Sequence, residues 1–469
     1  MKHLTIKTYL LVSFIILLLS ISCNRTGNIA NIDGEIVGSS DSIILVHYFD
    51  FVDSIKLEDN KYFNINTQIR EPIWLKLQIG VHTCPIYLQP NLNIKIECDY
   101  NLTELKVKEE AKNSEILDYL FQQNALAKTS SCSKVSFMYQ ASYQDFTDSI
   151  NELQEQLQVN FDAFVNDYGK KHRYFCDSEK DRLQILIASI KLQYSRFMRY
   201  NNTLSDEDIE EFFTFLNEID INKPEYSQLH EFKDFADKYI DYKLSLETSK
   251  EDSEIKTESD YVQFIFDLIK TDFTDSKTIE FLYYNKLFEF LSYTGPDYVE
   301  DYLEEFNEMY SSEYHKTNID YLHSKWQNLK KGLPAPDFIV KDIEGNEHSI
   351  DEFLGKLVVI DVWASWCGPC LQENPYFEDL KKEFTNKLVV FISISVDDNS
   401  ENWIAELEKS KMTEIQWFAQ GWNNDLCKNY NIKSIPRYIV IDQEGKIVSA
   451  NAPRPSGDLK DLIEELIAE

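Results

Sequence analysis

Two cysteines separated by two residues stand near the C-terminus of the chain, in the run Cys367-Gly368-Pro369-Cys370. A helical pattern follows them through Glu383, so the first sulfur lies at a predicted helix N-terminus. Free N–H groups and the helix dipole at such a position stabilise a thiolate, which can lower a thiol pKa from about 8.5 to roughly 3.5–7.5. The spacing therefore predicts thiol–disulfide exchange, with Cys367 as the exposed nucleophile and Cys370 as the inward-facing resolving thiol.

Two carboxylates lie close to this pair in sequence. Asp361 is six residues before Cys367, within an apolar strand pattern, and Glu373 is three residues after Cys370. Burial beside a thiol raises the pKa of a carboxyl group toward neutral pH, which suits a general base that takes the proton of Cys370. The alternative for Glu373 is a solvated charge on the first turns of the helix.

The elements that must position these residues are a mixed sheet and the helices that cover it. Leu357 to Val362 is a continuous apolar run, which is typical of a central strand, and it leads directly into the cysteine pair. The remaining pattern predicts a hairpin at Glu344-Gly345-Asn346, strands at 388–395, 438–441 and 446–449, and helices near 401–409 and from 458.

Residues Leu333 to Glu469 resemble the thioredoxin superfamily, in particular the membrane-tethered disulfide reductases of the TlpA and ResA type. The matching features are Ala335-Pro336-Asp337-Phe338, Asp361, Trp363, Trp366, the Cys-Gly-Pro-Cys core, Pro375 and Ile435-Pro436. The resemblance implies a cis peptide at Ile435-Pro436, lying against the disulfide, whose neighbouring backbone pairs with an extended substrate segment.

The same resemblance implies roles for individual residues. Asp361 matches the buried acid of thioredoxins, and Glu373 matches the glutamate of the tethered reductases. Trp366 and the segment Ile435, Pro436 and Arg437 are expected to meet the substrate. Arg437 stands where thioredoxins carry a small polar residue, so we expect a different preference for substrate charge.

The first 22 residues have the layout of an export signal, with Lys2 and Lys7 ahead of the apolar run Tyr9 to Ile21, which is too short to span a bilayer. Ser20-Ile21-Ser22-Cys23 resembles the lipobox of bacterial lipoproteins, in which the cysteine is lipidated. We therefore expect a protein anchored to a membrane of the cell envelope through Cys23 and facing the periplasm. The alternative is a plain secretory signal with an incidental cysteine.

Three domains are predicted after this signal: a β-rich domain at 23–100, an α-helical region at 101–332 and the thioredoxin-like domain at 333–469. The β-rich domain resembles a domain of unknown function found ahead of thioredoxin folds in envelope lipoproteins, through the corner Tyr87-Leu88-Gln89-Pro90-Asn91. A hairpin turning at Asn91 places Cys84 opposite Cys98, either as small hydrophobic residues of a sheet core or as a cross-strand disulfide. In the helical region, Ser178-Glu179-Lys180-Asp181 looks like a capping box.

The net charge of the chain argues against nucleic acid as a partner. The 469 residues carry a formal net charge of −33, which repels nucleic acid. No metal or other cofactor is expected, since the histidines show no HxH or HExxH spacing and Cys367 and Cys370 lack a second ligand pair. The resemblance implies protein disulfides as substrates, including the haem-acceptor cysteines of apocytochromes c, and an inner-membrane electron donor of the DsbD or CcdA kind.

Two other functions remain as alternatives. A peroxiredoxin-like peroxidase needs a threonine two or three residues before a lone reactive cysteine, and Ser365-Trp366-Cys367 does not supply one. A binding or scaffolding lipoprotein, in which the helical region carries the main role, is the second alternative.

Overall fold

The computed structural model describes residues 29–38, 43–48, 51–59, 61–102, 104–107, 114–201, 212–310, 312–385, 388–410, 412 and 415–468. Cys23 and the predicted export signal lie outside these residues. The chain divides into two compact units, Met1–Tyr242 and Lys243–Glu469. The predicted helical region 101–332 is therefore shared between the two units. Among the described residues, no helix is both long enough and apolar enough to cross a membrane.

The first unit begins with two four-stranded sheets that share one hydrophobic core. One sheet has the strand order β4-β1-β7-β8 and the other β3-β2-β5-β6. Buried residues alternate along β1 and β4, so each of these strands turns one face to the core. The strands are β1 Ile29–Val37, β2 Ile43–His47, β3 Val52–Lys56, β4 Tyr62–Gln68, β5 Ile73–Ile79, β6 His82–Leu88, β7 Asn93–Asp99 and β8 Leu105–Val107.

The predicted pairing of Cys84 with Cys98 is wrong. Cys84 on β6 pairs with Leu77 of β5, whereas Cys98 on β7 pairs with Ile36 of β1, in the other sheet. The turn at Asn91, which has a φ of 63°, thus carries the chain from one sheet to the other. A turn signal of this kind fits a hairpin and a sheet-to-sheet crossing equally. Both cysteines are buried free thiols of one core, as in the first of the two interpretations.

Helices follow the sheets in the first unit, and one of them corrects a predicted helix start. Ser178 lies inside a helix that begins at Arg173, so it does not cap one. The neighbouring Glu179 is buried and accepts hydrogen bonds from Arg182 and Tyr119. The helices are α1 Ser114–Thr129, α2 Val135–Gln140, α3 Tyr143–Tyr168 and α4 Arg173–Asn201, with α5 His230–Thr248 crossing into the second unit.

Four more helices open the second unit: α6 Glu258–Asp272, α7 Ser276–Tyr293, α8 Glu300–Met309 and α9 Glu313–Ser324. The extended segment that follows them is hydrogen-bonded along the edge of the sheet. The Gly332 amide donates to the Ile447 carbonyl at 2.7 Å, and the Ile447 amide donates to the Leu333 carbonyl at 2.8 Å. The predicted domain boundary at residues 332–333 is thus an extended segment that is hydrogen-bonded to the edge strand of the sheet.

The sheet of the second unit is mixed and has the strand order β10-β9-β13-β12-β11-β14-β15. The interior strand β11 is buried at every residue, as its apolar run predicts. This confirms the thioredoxin-like fold class of the C-terminal region, whereas β13 was absent from the sequence prediction. The strands are β9 Val340–Lys341, β10 Glu347–His348, β11 Leu357–Trp363, β12 Val389–Ser395, β13 Ile415–Phe418, β14 Arg437–Ile441 and β15 Ile447–Ala452. The helices are α10 Gly368–Glu383, α11 Ser400–Ser410, α12 Asp425–Asn429 and α13 Leu459–Ala468.

Candidate active site

The two cysteines of the Cys-Gly-Pro-Cys run form a disulfide at the N-terminus of α10. Cys367 occupies the N-cap position, and its sulfur accepts a hydrogen bond from the Cys370 amide at 3.2 Å. An amide that points at the sulfur from a helix N-terminus stabilises the thiolate that forms when the disulfide opens. Cys367 therefore has the environment of a nucleophile.

Cys367 is less exposed than the sequence predicted. Cys370 is fully buried, as expected, but the Cys367 residue is only 4 % exposed. The neighbouring Trp366, at 59 % exposed, instead presents the large accessible surface at this end of the helix.

The loop that leads into Cys367 is held by a buried carboxylate that the sequence reasoning missed. Asp397, just after β12, accepts hydrogen bonds from the Ser365 amide at 2.9 Å, the Ser365 hydroxyl at 2.6 Å and the Ser395 hydroxyl at 2.7 Å. The sequence could have predicted the position of Asp397, because it follows a buried strand that runs parallel to β11, and parallel strands end at the same edge of a sheet.

The predicted acid Asp361 lies on β11 and is fully buried. Its partner across the antiparallel β11–β14 pair is Tyr438, which is also buried. Burial raises the pKa of Tyr438, and the nearby carboxylates of Asp361 and Glu373 raise it further. Both predicted acids thus act electrostatically on one tyrosine hydroxyl.

The second predicted acid, Glu373, is buried one helical turn after Cys370, on the same face of α10. The interpretation of Glu373 as a solvated surface charge is therefore wrong. Its carboxylate accepts hydrogen bonds from the Ser456 hydroxyl at 2.8 Å and the Ser456 amide at 3.1 Å, and a guanidinium nitrogen of Arg454 lies 3.9 Å away. These contacts fix the carboxylate between α10 and the loop after β15. Its role as a proton acceptor stays a prediction.

The cis peptide implied by the resemblance is present, while contact of Pro436 with a substrate stays a prediction. The Ile435-Pro436 peptide bond is cis, and both residues are half-buried. The next residue, Arg437, pairs with Val362 near the end of β11, so this loop lies at the same edge of the sheet as the entry to the cysteine pair. Trp422, which the sequence reasoning missed, lies 6.3 Å from Trp366 between ring centroids. The two exposed indoles provide an apolar surface beside the disulfide.

Arg437 does not lie where the prediction placed it. Its side chain is buried, and its guanidinium donates to the carbonyl oxygens of Ala450, at 3.2 Å, and of Tyr293. The guanidinium carbon also lies 5.5 Å from the ring of Trp326. Burial lowers the pKa of Arg437 to about 10. Because these contacts direct the charge into the protein, Arg437 anchors β14 to the helices rather than selecting substrate charge.

Comparison with known proteins places these features in a family. A family model described as Redoxin matches residues 330–465. The chain is 30% identical over 126 residues to the thiol-disulfide oxidoreductase ResA of Bacillus cereus, covering 27% of this chain and 71% of that protein. It is 34% identical over 134 residues to the thioredoxin-like protein YneN of Bacillus subtilis, covering 28% and 76%.

Among solved structures, the thioredoxin domain of a thiol-disulfide oxidoreductase from Bacteroides vulgatus is 31% identical and aligns with 30% of this chain and 99% of its own, with a TM-score of 0.28. The resemblance of the N-terminal β-rich domain to envelope lipoproteins stays a prediction, because the family match begins at residue 330. The matched segment contains the disulfide, both buried acids and the cis-proline loop, and the chain belongs to the thioredoxin superfamily as a member of its TlpA/ResA-like thiol-disulfide oxidoreductases.

Proposed function

We propose that this protein is a disulfide reductase of the bacterial cell envelope, anchored to a membrane by a lipid on Cys23. The Cys367 thiolate attacks a substrate disulfide, which forms a mixed disulfide and releases one substrate thiolate. The Cys370 thiolate then attacks the Cys367 sulfur, which releases the second substrate thiolate and forms the Cys367–Cys370 disulfide. Two electrons pass to the substrate in each cycle.

The observation that carries this proposal is the hydrogen bond from the Cys370 amide to the Cys367 sulfur at the N-terminus of α10. This donor favours negative charge on Cys367 and makes it the attacking sulfur. Cys370 has no exposed surface, so a protein substrate reaches Cys367 first.

Reduction rather than oxidation is proposed from the Gly368-Pro369 dipeptide, which thioredoxins share. A reductase outside the cytosol needs an electron supply, and an inner-membrane donor of the DsbD or CcdA kind meets that need. Protein disulfides, among them those of apocytochrome c, are the proposed substrates. The location rests on the export-signal pattern and the lipobox resemblance before Cys23.

Trapping of the mixed disulfide tests the reaction. Cys370→Ala should accumulate covalent complexes with a protein disulfide substrate, resolved by non-reducing electrophoresis, whereas Cys367→Ala should form none. Cys427→Ala is the matched control, because Cys427 is a buried free thiol of the same unit and its loss should change nothing. Complexes that form through Cys370 in the absence of Cys367 would contradict the assigned order.

Direction and anchoring have separate tests. The reduction potential of the full chain should lie nearer the value of about −270 mV typical of thioredoxin than the value of about −120 mV of DsbA. A value near the latter would mean an oxidase. Mass spectrometry of the mature N-terminus should find a lipidated Cys23, and an unmodified N-terminus beyond Cys23 would show simple secretion.

A further inference from the structure

A cleft of about 600 Å³ adjoins the cis-proline loop, and it is built by two parts of the second unit. One wall comes from the start of α6 and the segment after α7, and the other from the residues around Pro436 and the loop after β15. We name it the tyrosine cleft after four of its lining residues, Tyr261, Tyr293, Tyr298 and Tyr438. Its volume lies within the range of about 300–1,000 Å³ that is usual for ligand-binding sites.

The lining is suited to a polypeptide more than to an apolar molecule. Tyrosine rings give rigid contact area at a small entropic cost, and their hydroxyls add hydrogen bonds to peptide groups. Tyr293 and Tyr298 are 49 % and 38 % exposed, so a bound chain can reach them. Serine and threonine hydroxyls, including Thr294 and Ser434, line the same space.

The charged residues of the cleft do not favour one sign. Glu258 and Arg454 both line it and attract each other, and Asp458 and Lys256 add one further charge of each kind. Arg437, the remaining charged residue of the lining, is buried and donates to backbone carbonyl oxygens. Burial raises the pKa of Tyr261, so its hydroxyl stays protonated at neutral pH and is able to donate a hydrogen bond. Recognition in this cleft therefore depends on hydrogen bonding and ring packing rather than on net charge.

The position of the cleft relates it to the reaction. Pro436 lines it and also lies at the sheet edge where β11 leads into Cys367. Ser456 and Arg454, which hold Glu373, line it as well. A polypeptide whose cysteine lies at Cys367 and whose backbone passes Pro436 can continue into this space.

We propose that the tyrosine cleft binds the extended polypeptide that flanks the substrate cysteine, so that Tyr293 and Tyr298 of the helical segment determine which protein disulfides are accepted. This inference rests on the proposed reductase function and adds a specificity role for helices that lie outside the matched family segment. Reduction of small disulfides, which have no flanking chain, does not use the cleft.

The test compares a small disulfide, bis(2-hydroxyethyl) disulfide, with peptide mixed disulfides whose flanks on either side of the cysteine grow by one residue at a time. With the unaltered full chain, kcat/KM should rise as one flank lengthens and reach a plateau when the cleft is filled. Tyr293→Ala and Tyr298→Ala should each lower the ratio of peptide to small-disulfide kcat/KM by about tenfold. Tyr321→Ala, at an exposed tyrosine of α9 outside the cleft, should leave the ratio unchanged.

A rate that does not depend on flank length, together with an unchanged ratio in both cleft variants, would overturn the proposal. If the proposed reductase function is wrong, the result differs, because the unaltered chain then reduces neither the small disulfide nor the peptide mixed disulfides. In that case, fluorescence anisotropy of a labelled peptide with alanine in place of its cysteine tests whether the cleft binds a polypeptide, independently of the reaction. Binding to the unaltered chain that is lost in Tyr298→Ala supports the proposed binding site. Binding that is absent from the unaltered chain, or equal in the unaltered chain and Tyr298→Ala, overturns the proposal.

Discussion

Tyr438 faces Asp361 directly across the β11–β14 strand pair, and neither side chain has appreciable contact with solvent. The charges of Asp361 and Glu373 both oppose ionisation of the Tyr438 hydroxyl, as burial does, and all three effects raise its pKa. The hydroxyl therefore stays protonated at neutral pH, where it can donate a hydrogen bond. Asp361 on β11 and Glu373 on α10 thus both raise the pKa of one hydroxyl, that of Tyr438, which lies two residues after the cis-proline Pro436.

Removal of this hydroxyl should alter proton transfer. In Tyr438→Phe the Asp361 carboxyl loses the hydroxyl beside it, a contact that favours the ionised form of the acid. The midpoint for the pH dependence of the resolving step should therefore move to higher pH. Rapid-mixing kinetics between about pH 5 and 9 would measure that step. Asp361→Asn and Glu373→Gln should slow the same step more than the initial attack by Cys367.

Tyr430→Phe is the matched control for this series, because Tyr430 is buried in the same unit and its hydroxyl donates to the Pro336 carbonyl at 2.9 Å. Its pH profile should match that of the unaltered chain. An unshifted profile in Tyr438→Phe would mean that its hydroxyl only fills space.

Loss of the Asp397 carboxylate should destabilise the loop before Cys367. Asp397→Ala removes the acceptor of three hydrogen bonds from Ser365 and Ser395, and hydrogen bonds to charged groups contribute about 1.5–3 kcal/mol each. We expect the second unit to lose about 3 kcal/mol in its free energy of unfolding, measured in urea. The adjacent Asp398→Ala, at an exposed residue, should cost less than about 0.5 kcal/mol. Equal effects in the two variants would show that Asp397 has no special role.

The two thiols in the core of the first unit should resist alkylation. Burial raises the pKa of Cys98 to about 12 and raises the pKa of Cys84 as well, so both remain protonated at about pH 8. Mass spectrometry after iodoacetamide treatment should find Cys84 and Cys98 unmodified in the native protein and modified after unfolding without a reductant. If the unfolded, unreduced protein shows neither modified, they form a disulfide with each other.

His348 should stabilise the β9–β10 hairpin mainly in acid. Its ring nitrogens lie 3.0 Å from Asp342 and 3.1 Å from Glu352, and these partners raise its pKa above 6.5. A raised histidine pKa contributes stability that is fully present below the unfolded value of about 6.5 and is lost as pH rises through the folded value. His348→Gln should therefore lower Tm by about 2 °C more at pH 5.5 than at pH 9, where only the packing of the ring on Trp417 is lost, measured by calorimetry. A larger loss at pH 9 would contradict the assignment.

The sequence predicted the elements that carry strong local patterns. The apolar run of β11, interrupted only by Asp361, and the helix capped by Cys367 were both predicted correctly because burial and capping act within a few residues. The pairing of β6 was predicted wrongly because one turn fits two sheet arrangements. β13 has only four residues, one of them fully buried, so it shows no distinct period. Arg437 could not be placed because its acceptor Tyr293 lies 144 residues earlier in the chain.

The contacts of Arg437 decide how the chain can be divided into fragments. A fragment that starts at residue 330, where the family match begins, keeps the guanidinium but removes the Tyr293 carbonyl and the Trp326 ring that surround it. A buried cation without its acceptors is costly, and its strand leads directly away from the cis-proline. A fragment that starts at 243 retains every one of these contacts. The helices between 243 and 329 thus supply part of the interior of the thioredoxin-like sheet, and a fragment lacking them exposes a cation that the full chain keeps buried.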